Sequence, residues 1–90
     1  MLCKVVSISS EILKSKKNEN YKFKVFQVIK RAGARDYVVG DFVTQSIFVS
    51  EQDLHFFKDV EPLDVIDIHY ESDGRFTNIS DVTFSDEELF

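Results

Sequence analysis

In the stretch YKFKVFQVIK, residues 21–30, Lys22, Lys24 and Lys30 share one side of an extended chain with Phe26 among them. Alternate side chains of a strand lie about 7 Å apart on one face. Ammonium groups at that spacing can follow a phosphate backbone, and a ring between them offers a base a stacking surface worth about 1–3 kcal/mol. Further cations adjoin the stretch: Lys14, Lys16 and Lys17 before it, Arg31 and Arg35 after it. Tyr21 and Tyr37 stand where strands begin, and Arg75-Phe76 follows a later turn, so each could add a ring or a cation. A plainer role fits the same residues: solvated lysines, Phe26 and Phe76 as core, and tyrosines as core plugs with wet hydroxyls. The massing of cations on one side favours the nucleic-acid reading.

The charge is unevenly placed. The 90-residue chain carries a net charge of −5. Residues 1–35 hold nine Lys and Arg against two carboxylates, a net of +7, while residues 36–90 hold two against fourteen, a net of −12. A pI of 4.9 argues against a nucleic-acid partner for the chain as a whole, but the basic first third argues for one.

Catalysis finds little footing. Asp67 and His69 alternate onto one face, but two residues make neither a metal site nor a triad. His55 lies near Asp59, where a surface pairing is expected. Asp64, Asp67 and Asp81 would need to converge to hold a cation. No glycine-rich phosphate loop is present. Neither an enzyme nor a cofactor or metal site is expected. Cys3 reads as a small packed residue. With that single cysteine, no apolar run approaching about 20 residues and no signal-peptide layout at MLCKVV, a cytoplasmic protein is expected.

The elements that must position these residues come from periodicity. Residues 2–13 read as a first strand, KSKKNEN as a flexible basic loop, residues 21–30 as a second strand and residues 37–49 as a third. Ser50 with Asp53 resembles a capping box opening a short helix to about Asp59, ended before Pro62. Residues 63–70 and 75–84 read as fourth and fifth strands around the turn ESDG. Three strands, a short helix and two strands predict an all-β fold with one inserted helix, a five-stranded OB-fold Greek-key barrel. A five-stranded SH3-like barrel is the rival. The domain is expected over residues 1–84, with an acidic tip at residues 85–90.

This layout resembles the small phage and bacterial single-stranded-DNA-binding proteins of the OB-fold class. Its basic loop running into a tyrosine-bearing strand, KSKKNENY, with Arg75-Phe76 on a later hairpin, is similar to the helix-destabilising proteins of filamentous phages. That resemblance implies sequence-tolerant binding of single-stranded DNA, with RNA open, in replication or recombination, by a homodimer. The ending SDEELF is similar to the acidic tails, closed by a phenylalanine, through which many such proteins recruit replication and repair enzymes. It implies partner contacts at Asp86, Glu87, Glu88, Leu89 and Phe90, although Leu89 stands where bacterial members carry proline. The alternative is an interaction barrel, for dimerisation, adaptor contacts or DNA mimicry, that binds no nucleic acid.

Overall fold

The computed structural model describes residues 1–89. Strands make up 49% of the chain, in one six-stranded antiparallel sheet. The elements are β1 (Leu2–Ile8), β2 (Leu13–Lys14), β3 (Lys22–Arg31), β4 (Phe42–Ser50), a 3₁₀ helix (Glu51–Phe57), β5 (Val65–Ser72) and β6 (Thr77–Phe84). The expected first strand is thus broken in two. β1 and β2 lie along the same edge of β3, against its far and near ends respectively. Ser9 bridges the break: its N–H donates to Val25 O at 3.0 Å and its Oγ accepts from Val25 N–H at 3.0 Å.

β3 pairs with β4 through nine successive residues on its other edge, and β1 pairs with β5, which pairs with β6. Counting β1 and β2 as one, the fourth strand lies beside the first, which is followed by the second and third. That is a Greek-key order. The expected barrel does not close: β4 and β6 are the two sheet edges, and neither pairs with the other among the described residues.

One face of the sheet is the core. Cys3 and Val5 of β1, Phe26 and Val28 of β3, Ile47 and Val49 of β4, and Ile66 and Ile68 of β5 form one buried layer, joined by Phe57 at the end of the helix and Val60 just beyond it. Cross-strand register enforces this layer. Val5 is opposite Val28, Phe26 is opposite Ile47, and Cys3 is opposite Ile66. The Phe26 and Phe57 rings meet at 4.7 Å.

The helix is a 3₁₀ segment, shorter than the expected one. Ser50 precedes it without capping a backbone N–H; its hydroxyl donates instead to Asp53 Oδ2 at 3.3 Å. His55 Nδ1 lies 2.8 Å from Gln52 O, so the ring is engaged by its own turn in place of the expected partner Asp59. After Pro62 the chain turns through Leu63 at φ 77°, and Leu63 N–H donates to Val5 O at 2.7 Å.

Cys3 is fully buried, and that burial pushes its thiol from 9.0 up to about 11. Because only the thiolate reacts, a disulfide reagent at pH 8 should modify Cys3 no faster than the chain unfolds. The raised value also carries a stability consequence. A thiol whose folded pKa exceeds its unfolded one contributes stability that is intact below pH 9 and is lost as pH rises towards 11. Thermal midpoints between pH 8 and pH 11 check the second point: Cys3→Ala should flatten that part of the decline.

Candidate nucleic-acid interface

β3 decides the site, and its faces are the reverse of those expected. Phe26, expected outward among lysines, is 3% exposed and belongs to the core. Lys22 and Lys24 precede it on the same face and Lys30 follows, so the three cations sit near the strand ends, where their stems can lie along the core margin and their ammonium groups reach water. Lys22 is exposed, while Lys24 and Lys30 are half-buried. Lys30 is engaged by Asp36 at 3.6 Å. Lys24 and Lys58 flank a cleft floored by Phe26 and Phe57. A base cannot stack on Phe26 without opening that core.

The outward face of β3 carries Phe23, Val25, Gln27, Ile29 and Arg31, continuing the alternation from Tyr21 just before the strand. Residues directly opposite on β4 share this face, pairing Val25 with Phe48, Gln27 with Ser46 and Arg31 with Phe42. Here lies an aromatic strip. Tyr21 and Phe23 have ring centroids 5.6 Å apart, and Phe23 meets Phe48 edge-on at 5.6 Å. Phe48 is 61% exposed. Leu13 of β2 lies opposite Phe23 and borders the strip. At the far end the Arg31 guanidinium lies 5.8 Å from the Phe42 ring centroid, within cation–π range. Between them Ser46 Oγ donates to Gln27 Oε1 at 2.9 Å. Phe48 is the member that strand periodicity in β3 alone did not reveal. Its signal lay in FVTQSIFVS, where Ile47 and Val49 claim the inner face and leave Phe48 outside.

Strand direction places the remaining candidates at the two ends of this strip. β3 begins beside the loop that carries Lys16 and Lys17, and Lys14 lies opposite Lys22 there. That loop is tied by Ser15 N–H to Tyr21 O at 3.0 Å and Tyr21 N–H to Asn18 O at 2.9 Å. β3 ends at the hairpin that carries Arg35 and Tyr37. This loop is shaped by Asp36, whose Oδ2 accepts from Gly33 N–H at 2.6 Å, and by positive φ at Tyr37 (52°) and Gly40 (127°). Tyr37 and Val39 project from it almost wholly into solvent, and Val38 is about half exposed. Because β3 and β5 are both antiparallel to β1 between them, they run in the same direction, and the β5–β6 hairpin with Arg75 and Phe76 leaves the sheet at that same end. Its turn is pinned by Asp73 N–H to Phe76 O at 3.1 Å and by Gly74 at φ 90°. Arg75 and Phe76 are both exposed, but they stand on the opposite side of the sheet from β4.

The tip divides. Ser85 N–H donates to Val65 O at 2.9 Å and extends the sheet, and Asp86, Glu87 and Glu88 are exposed. Leu89, expected as part of an exposed hook, is 4% exposed and packed onto the body. Phe90 lies outside the described residues.

The acidic candidates do not converge: Asp64 Oδ2 accepts from Glu61 N–H at 2.8 Å, and Asp81 Oδ1 accepts from Val82 N–H at 2.8 Å. Asp67 accepts from the Met1 ammonium at 3.0 Å, and that hydrogen bond holds its carboxyl below the ordinary carboxylate range. His69 Nε2 lies 3.8 Å from Asp67 Oδ2 and 3.1 Å from Thr83 Oγ1. Among the described residues no three His, Cys, Asp or Glu side chains gather closely enough to hold a metal ion, and no helix is long and apolar enough to cross a membrane. Set against known protein families, curated proteins and solved structures, the chain matches none.

Proposed function

We propose that this protein binds single-stranded nucleic acid, DNA foremost, across the outward face of β3 and β4. The observation that carries the reading is the exposed strip Tyr21–Phe23–Phe48 with basic groups at both ends of the strand beneath it. The ten residues of β3 extend over about 33 Å at a strand's rise. Lys14, Lys16, Lys17 and Lys22 gather at one end, and Arg31 and Arg35 at the other; Arg75 leaves the sheet at that second end but on the side away from β4. A single strand laid between them would meet rings where its bases are and cations where its phosphates are. Stacking on rings is tolerant of sequence, since every base has a π-face.

The Greek-key order and the helix between the third and fourth strands support an OB-type arrangement left open between β4 and β6. OB-folds present this same pair of strands to nucleic acids. The exposed carboxylates Asp86, Glu87 and Glu88 keep the recruiting role of the tip in play, with Leu89 serving the body of the fold. An interaction module is the second reading, favoured by the apolar hairpin tip at Tyr37, Val38 and Val39.

A fluorescence-anisotropy titration with labelled oligo-dT at two salt concentrations separates the two. If about four phosphates are neutralised, a slope of about −0.7 per phosphate predicts a roughly 50-fold loss of affinity for a fourfold rise in salt. Absence of binding at low salt, or binding indifferent to salt, overturns the nucleic-acid reading.

A further inference from the structure

The edge strand β4 has an unusual composition for its position. FVTQSIFVS, the whole of Phe42–Ser50, is the longest uncharged run in a chain that is 30% charged. It contains no proline or glycine and is rich in β-branched and aromatic residues. One side of it is filled by β3 along its full length; from Val43 to Val49 no backbone pairing occupies the other side among the described residues. Natural edge strands are blunted by charges, prolines, bulges or short length, and β4 has none of these devices. The other edge does. β6 carries Asp81, and its pairing with β5 is bulged between His69 and Tyr70. The two edges of one sheet are therefore built for different fates.

We propose that β4 is a homodimer interface, in which two copies of this chain pair their β4 strands antiparallel about a two-fold axis and join their sheets into one. A second copy fits this edge for electrostatic and steric reasons. Two chains of net charge −5 repel, so a symmetric contact needs a stretch free of carboxylates, and this is the longest one. A two-fold through Ser46 sets like against compatible. Ser46 meets the partner's Ser46, Thr44 meets the partner's Phe48, and Val43 meets the partner's Val49. A small hydroxyl side chain at the axis avoids self-collision. Aromatic and β-branched residues directly opposite each other are favourable cross-strand pairs. Closed two-fold pairing consumes the β4 edge of both copies, whereas head-to-tail pairing would propagate. The proposal rests on the edge itself and stands whether or not the outward face binds nucleic acid.

Sedimentation of the full chain and intermolecular nuclear Overhauser effects in a mixture of labelled and unlabelled protein test it. The expected species has twice the 10.4 kDa chain mass, with cross-peaks between Thr44 and the partner's Phe48 backbone protons. Ser46→Lys places two ammonium groups face to face at the axis and should return the protein to chain mass, with native circular dichroism and thermal midpoint confirming that it folds. Asn78→Lys on the β6 edge should leave the dimer intact. A species of chain mass at millimolar concentration overturns the proposal. So does a dimer that survives Ser46→Lys, or one whose cross-peaks join the Phe23 and Phe48 rings alone or run from β4 to β6.

Discussion

Phe26→Ala is expected to cost about 3–5 kcal/mol of stability, the range for emptying a buried phenylalanine site. Small domains have only about 5–15 kcal/mol in total. In a chain of this size each kcal/mol moves the midpoint by about 4–8 °C, so differential scanning calorimetry should record a fall of at least about 12 °C. The large value follows from position. Phe26 sits between Ile47 across the ladder and Phe57 of the helix at 4.7 Å, and truncation would detach the helical segment from the sheet. Oligo-dT affinity, measured well below the lowered midpoint, should change little. A variant with an unaltered midpoint and lost binding would restore Phe26 to the outward face and reverse the assignment of both sides of β3.

Phe48→Ala should do the opposite. Its ring is the most exposed member of the strip, and loss of one stacking contact worth about 1–3 kcal/mol corresponds to an affinity loss of about 5- to 150-fold at low salt. Stability should fall by no more than the cross-strand contributions of its contacts with Val25 and Phe23, about 0.2–1 kcal/mol each. The slope of affinity against salt should stay as it is in the wild type, because no phosphate contact is removed. Lys16→Ala with Lys17→Ala is the natural contrast, since removing cations shallows that slope. Anisotropy at two salt concentrations, with sedimentation on the same samples to hold the oligomeric state in view, reads both effects. Unchanged affinity in Phe48→Ala would remove the strip from the binding face.

Much of the architecture was legible in periodicity. Residues 21–30 and 63–70 alternate clearly and appear, within a residue or two at most points, as β3 and β5; the helix falls between the third and fourth strands as expected. The faces of β3 were not legible from β3, because both are apolar. Tyr21, Phe23, Val25 and Ile29 outnumber Phe26 and Val28, and counting within the strand assigns the larger set to the core. The neighbours decide otherwise: β1 offers Cys3 and Val5, β4 offers Ile47 and Val49, and the register sets Val28 and Phe26 against them. Side-chain alternation is a property of one strand, while a core belongs to a layer. Barrel closure was equally out of reach, since it depends on how two edges distant in sequence, β4 and β6, approach. Of the candidate site, the basic loops stood where expected, whereas the rings had to be reassigned from Phe26 to Phe23 and Phe48. Leu89 read as a free tip because three carboxylates precede it, yet a single leucine can still fold back onto an apolar surface.

The placement of β1 bears on how the chain comes to be folded at all. β1 is the inner seam of the sheet, with β3 on one side and β5 on the other. During synthesis β1, β3 and β4 leave the ribosome first and can zip together as a local meander. β5 arrives some sixty residues after its partner, a separation that makes its pairing the slow step. Until it does, the nascent chain is a basic half-sheet with Cys3 and Val5 uncovered, and the acidic half that follows is both its missing strand and its counter-charge. Residues 1–60 carry ten Lys and Arg against seven carboxylates and residues 61–90 one against nine, so β5 and β6 complete the sheet and reverse the sign of its charge together.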